Sequence, residues 1–262
     1  MTLLEARART GAVARINPVA KLGASALIAI PLVLTLDWVS AAVALLLECL
    51  LFPFAGIGWR EFWARTWPVW LAAPLTALTI ALYGEASGTV YVEWFVVRVT
   101  EGSLELAVAT FFRVLAIALP SVVLFVTVDP TDLADGLAQI LRLPSRFVLG
   151  ALAGLRMAGL FLDDWRALEL ARRARGVADR GRIRRFLGMA FALLVLSIRR
   201  GSKLATAMEA RGFGGPGERT WARRSRFGWR EWALMAVGLA ISLAAVAAAV
   251  LAGTWNLILG PG

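Results

Sequence analysis

Two short segments, ELARRARG at 169–176 and ATAMEARG at 205–212, close on the same three residues: Ala174, Arg175, Gly176 and Ala210, Arg211, Gly212. Each follows a run with helical periodicity, and a glycine there supplies the left-handed conformation that ends a helix. A small alanine leaves room for a neighbouring surface. The arginine then projects as a fixed guanidinium fork, suited to carboxylates or backbone carbonyls in a partner's groove. A cation at a helix carboxyl terminus is favoured by the dipole, by about 0.3–1 kcal/mol, which alone accounts for one such ending. Two copies, each closing a long half-apolar helix, point to paired docking ends. The chemistry on offer is recognition, not bond making.

Catalytic chemistry lacks its usual parts. The 262 residues contain no histidine, so imidazole-based triads, proton shuttles and histidine metal sites are excluded. The single cysteine, Cys49, lies in an apolar run, reads as a small buried residue, and excludes intrachain disulfides and cysteine-based zinc sites. There is neither a G-x-x-x-x-G-K-[ST] phosphate loop nor a Gly-x-Ser-x-Gly nucleophile elbow. No catalytic residue, metal or cofactor is therefore expected in this chain, and any ATP is expected on another polypeptide.

The elements that must carry the arginine ends belong to a membrane protein: 59% of residues are hydrophobic and mean hydropathy is +0.71. Apolar runs at about 22–36, 39–55, 66–83, 104–128 and 233–259 predict five transmembrane helices. The first two, separated by Asp37 and Trp38, predict a tight hairpin, and Pro31 and Pro74 are candidate kinks. Trp38, Trp59, Trp63, Trp67, Trp70, Trp232 and Trp255 cluster at span ends as an interfacial belt. The first 21 residues merge into an apolar span without a cleavage signature, so no cleaved signal peptide is expected.

Charge sets the expected orientation. Residues 1–21 hold Arg7, Arg9, Arg15 and Lys21 against Glu5, whereas 84–105 hold Glu85, Glu93, Glu101 and Glu105 against Arg98, which places the amino terminus in the cytoplasm and, after five crossings, the carboxyl terminus outside. The expected organisation is a four-span membrane region at 1–128, a cytoplasmic-side block of three helices at 129–230, and a final span at 231–262. The block carries 20 of the 28 basic residues of a chain whose net charge is +10. Topology and anionic headgroups absorb that charge without nucleic acid.

Three helices are predicted in the block: one from the Asp129-Pro130-Thr131-Asp132 start to about Arg142, one over about 144–175, and one over about 183–211. The apolar halves of the last two are short for a crossing; Phe147–Leu162 spans roughly 24 Å and includes Arg156, against a hydrocarbon thickness of roughly 30 Å. They are expected to lie against the inner leaflet or another membrane protein. Gly150, Gly154 and Ala158 give a smooth face, suited to a partner helix or to ordinary core packing. Within the spans, Glu48 and Arg113 each sit roughly 14 Å deep, where an unpaired charge is expensive; they either pair as an intramembrane ion pair or find other polar partners.

RINPVAKL at 15–22, VDPTDLADGLAQILRLPSRF at 128–147, ELARRARG at 169–176 and SIRRGSKLATAMEARGF at 197–213 together resemble the transmembrane T component of energy-coupling factor (ECF) transporters, the EcfT/CbiQ-like family. The resemblance implies an all-α polytopic subunit of an ATP-driven importer for vitamins or metal ions. It implies that two ABC-type ATPase subunits dock at Ala174, Arg175, Gly176 and at Ala210, Arg211, Gly212, and that a separate S component binds the solute. The alternative from the residues alone is a self-contained secondary transporter or channel. That reading favours ionisable groups facing a pathway, and Glu48 and Arg113 are its sole candidates.

Overall fold

The computed structural model describes residues 13–84, 87–94, 97–176, 181–215 and 220–255. Arg7, Arg9, Glu5 and Glu85, which enter the orientation argument, and residues 256–259 of the expected last span lie outside them. Eight helices account for most of the described chain: α1 (Pro18–Leu34), α2 (Trp38–Leu51), α3 (Trp59–Tyr83), α4 (Glu101–Phe125), α5 (Pro130–Gln139), α6 (Ser145–Ala174), α7 (Arg182–Ala210) and α8 (Trp229–Leu251). The chain is an all-α polytopic membrane protein. Contacts divide the described residues into two compact units, those between 13 and 136 with those between 225 and 255, and those between 137 and 224.

Among the described residues, five helical segments have the length and composition to cross a bilayer: Trp38–Ala55, α3, α4, α6 and α8. The number equals the expected one, but the membership differs. The first expected span, α1, has 17 residues, or about 26 Å, and falls just short; α6 qualifies through its apolar first half. A hydropathy window tolerates the single Arg156 that counted against α6 in the sequence.

In the first unit, local capping starts each helix. Asn17 Oδ1 accepts from Val19 N at 3.0 Å, and Pro18 occupies the first turn, where no amide hydrogen is needed. Asp37 Oδ2 accepts from Ser40 N at 2.7 Å to start α2, and Thr100 and Ser103 cap each other at the start of α4. The expected hairpin of α1 and α2 is not a packed pair. α1 lies chiefly along α8, and α2 along α4 and α8.

Side-chain size explains the difference. Gly238 of α8 faces Ala24 so closely that a Cβ there would lie 3.0 Å from the Ala24 carbonyl oxygen. The backbones of α1 and α8 therefore approach as only small residues allow. Around that contact Ile28, Leu32, Ala41, Ala44, Ala116, Ile241 and Ala245 form one core, and Ala73, Leu115 and Leu119 form a second between α3 and α4. Trp59, Trp63, Trp67 and Trp70 line the outside of α3, and Trp38 and Trp232 are also exposed, as lipid-facing indoles require. Cys49 is exposed too, against the expectation of a buried residue.

A feature not anticipated is an antiparallel ribbon, β1 (Val90–Trp94) with β2 (Val97–Thr100), between α3 and α4. Its β-branched alternation, TVYVEW and VVRVT, is the signal in the sequence.

Candidate docking site

Within the second unit, α6 and α7 run antiparallel. Arg146 packs beside Gly214, Asp164 receives both terminal nitrogens of Arg200, and Glu169 Oε1 accepts from Arg185 at 3.3 Å and from Arg173 at 2.8 Å. As one residue number rises its partner's falls. Trp165 and Phe186 add a ring contact at 5.5 Å. The Asp164–Arg200 fork is bidentate, the geometry in which a carboxylate and guanidinium hold a fixed angle. These polar contacts join helices of 30 and 29 residues, each about 45 Å long, whose backbones come close over only a small part of that length.

Antiparallel packing has a direct consequence for the twin motifs. α6 ends at Ala174 beside the start of α7, and α7 ends at Ala210 beside the start of α6. The two Ala-Arg-Gly ends therefore occupy opposite ends of the helix pair.

They are built alike. Arg175 caps α6 with φ −89° and ψ 4°, and Arg211 caps α7 with φ −91° and ψ 12°. Gly176 and Gly212 follow at φ 65° and 77°, where an L side chain is strained. Gly212 N donates to the Glu209 carbonyl at 2.9 Å and Phe213 N to the Met208 carbonyl at 2.9 Å, the double closure of a Schellman motif. Gly176 N donates to the Arg173 carbonyl at 3.0 Å in the equivalent position. All six motif residues are exposed. Neither Arg175 nor Arg211 has a side-chain partner among the described residues, and nothing lies within 4 Å of a Cβ built on Gly176 or Gly212. Each end is a small, bare knob with a cation on its rim.

Beside the Arg211 end, Leu149, Leu152, Met157, Leu204, Met208 and Phe213 line an apolar cleft of about 670 Å³. Gly150, Gly154 and Ala158 are exposed, and a Cβ built on either glycine meets nothing within 4 Å. The smooth face is thus not core packing among the described residues.

The expected intramembrane pair of Glu48 and Arg113 does not form. Arg113 donates to the Thr35 carbonyl at the turn before α2, whereas Glu48 lies one helical turn from the other end of α2. Eleven residues separate Glu48 from the Asp37 cap, about 16 Å of helix, so equal sequence depth does not bring the two charges to one level. Glu48 is 2% exposed, and neither carboxylate oxygen has a hydrogen-bond partner among the described residues. It lines an apolar cleft of about 190 Å³ with Ile28, Phe52, Val123 and Leu234. Because a buried polar group without a partner costs about 1–3 kcal/mol, Glu48→Leu is expected to stabilise the chain. A raised melting temperature in detergent checks this; a lowered one shows that the carboxyl has a partner.

Sequence reasoning also missed a polar cluster in the first unit. Lys21, counted as a loop charge, is fully buried and donates to Thr127 Oγ1 at 2.7 Å and to the Thr127 carbonyl at 3.4 Å. Asn17 N donates to Glu231 Oε1 at 3.1 Å, and Gly228 N donates to Glu231 Oε2 at 2.8 Å. The available signal was a lysine inside an apolar helix in RINPVAKL, and a glutamate three residues after Gly228.

Several helices able to cross a membrane and two bare helix ends of like build define the class as a polytopic membrane protein with exposed ends open to partners. A family model described as cobalt transport protein, CbiQ, matches residues 11–221. The energy-coupling factor transporter transmembrane protein EcfT of Listeria innocua is 30% identical over 246 residues, 88% of this chain and 89% of that protein. The protein of the same name from Limosilactobacillus fermentum is 29% identical over 184 residues, 66% of this chain and 68% of its own length. EcfT 1 of Listeria monocytogenes is 29% identical over 211 residues, 75% of this chain and 76% of that protein. The chain belongs to the CbiQ/EcfT family, the transmembrane T components of ECF transporters.

Proposed function

We propose that this T component is the coupling scaffold of an ATP-driven importer for vitamins or metal ions. In this reading two ABC-type ATPase subunits bind the chain, one at Ala174, Arg175 and Gly176 and the other at Ala210, Arg211 and Gly212. A separate S component carries the solute, and ATP is bound and hydrolysed by the partners alone. In this reading α1 crosses and α6 lies along the membrane surface despite its apolar first half, so that the amino terminus and 129–230 are cytoplasmic and the carboxyl terminus lies outside.

The observation that carries the reading is the repetition of one exposed helix ending at opposite ends of α6 and α7. The helix dipole accounts for one such guanidinium; the same bare, exposed ending on both helices is what favours docking. Two like knobs at opposite ends fit two like grooves on separate subunits better than two sites on one. Helices fastened by Asp164–Arg200 and Glu169–Arg185 move as a unit when their ends are displaced, which is what a relay between ATPases and an S component requires.

The test is isolation in mild detergent from cells that co-express ATPase subunits and an S component of this family. Co-isolation of two ATPase subunits per chain supports the proposal. A chain that purifies without ATPases, and that alone moves solute into liposomes, points instead to a self-contained transporter.

A further inference from the structure

Among the described residues the chain passes between its two compact units at two places, Gly136–Leu137 and Arg224–Ser225. Both passages begin at the same side chain. Asn17 Nδ2 donates to Ser225 Oγ at 2.7 Å and to the Arg226 carbonyl at 3.1 Å, which holds the returning strand. On the outgoing side, a Cβ built on Gly136 would lie 2.7 Å from Val19 Cγ2 and 3.0 Å from Asn17 Oδ1, so α5 rests directly on the first turn of α1. Just beyond both passages, Gln139 Nε2 donates to the Arg223 carbonyl at 2.9 Å and ties the two strands to each other.

Asn17 is itself held from three sides. Its Oδ1 caps α1 through Val19 N, its backbone N–H is fixed by Glu231 at the start of α8, and Lys21 one turn later is anchored on Thr127 at the end of α4. An amide side chain suits this place because it accepts and donates at once: the oxygen serves the cap and the nitrogen serves both strand acceptors. RINPVAKL and VDPTDLADG, which the docking reading leaves without a role, supply this arrangement.

We infer that Asn17 is a positioning residue for coupling: it clamps, on the side of α1 and α8, both covalent links that the described residues make between the unit holding α1–α4 and α8 and the unit bearing the arginine ends, so that displacement of those ends reaches α1–α4 and α8 instead of being absorbed at slack linkers. The inference rests on the proposed coupling role. It predicts a separation of function. With the clamp open, ATPases still dock on the untouched ends, but their motion no longer arrives in the spans.

Two substitutions open the clamp from different sides. Asn17→Ser keeps a hydroxyl able to cap α1 and loses the amide nitrogen. Gly136→Ala keeps the Asn17 amide but crowds Val19 Cγ2 and Asn17 Oδ1, which presses α5 and the first turn of α1 apart. The measurement uses the full complex with its ATPases and S component, in a Cys49→Ser background, with nitroxide labels introduced by Leu78→Cys on α3 and Leu155→Cys on α6, both exposed leucines. Distance distributions are compared without nucleotide and with ATP plus vanadate, beside ATPase co-isolation on the same samples.

In the otherwise unchanged complex a nucleotide-dependent shift of the distance is expected. In Asn17→Ser and Gly136→Ala that shift is lost or smeared, and both ATPases remain bound. A full shift in both variants overturns the inference and leaves the docking reading intact. Loss of ATPase binding in both makes Asn17 an ordinary folding residue and equally overturns it. Absence of ATPases from the unchanged complex removes the docking reading, and the inference with it.

Discussion

Reversing both charges, Arg175→Glu with Arg211→Glu, is expected to abolish co-isolation of ATPase subunits, while either reversal alone removes one of the two sites. The size of the effect follows from exposure and placement. Neither guanidinium contributes to its own fold among the described residues, so the substitutions leave α6 and α7 standing. In a complex, a carboxylate put in place of a guanidinium removes a charge-assisted bond and sets a repulsive group against the partner's acceptors. Truncating one partner of a buried charged pair costs about 2–5 kcal/mol, and reversal costs at least as much. At 1.4 kcal/mol per tenfold, that is a loss of about thirtyfold or more at each end. Quantifying ATPase bound per chain by gel densitometry gives the answer. Unchanged stoichiometry in the double variant contradicts the docking role, provided circular dichroism shows the helices intact.

The second large effect is structural. Gly238→Val is expected to break the α1–α8 contact, because its Cβ would lie 3.0 Å from the Ala24 carbonyl oxygen and 3.2 Å from Ala24 Cα, both backbone atoms that cannot rotate aside. The two helices must part, and Ile28, Leu32, Ile241 and Ala245 lose their packing together. Overpacking of this kind typically costs about 1–3 kcal/mol, and a clash against backbone belongs at the upper end. Gly23→Ala is the matched control: its Cβ meets Met235 Cε at 3.2 Å, the far end of a flexible side chain. A fall in melting temperature for Gly238→Val with little change for Gly23→Ala is the expected pattern. Equal melting temperatures for the two variants contradict the close backbone approach.

The arginine ends were legible because helix termination is local: Gly176 and Gly212 stop their helices by a backbone rule that three or four residues state fully. The all-α membrane class was legible for a similar reason, since hydropathy accumulates along one segment at a time. What escaped the sequence depends on neighbours. Hydropathy gave Glu48 and Arg113 the same depth but not the same level, because it does not say that Arg113 meets the turn before α2 while Glu48 lies near the end after it. Sequence adjacency favoured α1 against α2, and the small face of Gly238 gave α1 to α8 instead. Asn17, read from its local sequence, is a helix cap and nothing more. Its second set of bonds goes to residues more than two hundred positions away, and no window along the chain joins them.

Arg175→Cys and Arg211→Cys, each introduced singly in a Cys49→Ser background, offer the most direct test that the arginine ends are seats for motor subunits. A bifunctional thiol-to-carboxylate cross-linker of short reach is applied to the assembled transporter in membranes, and the products are identified by mass spectrometry. The account predicts that each position joins to an ATPase subunit, and that position 175 and position 211 reach different copies. Cross-links confined to this chain, or modification only by a reagent restricted to the extracellular side, contradict it.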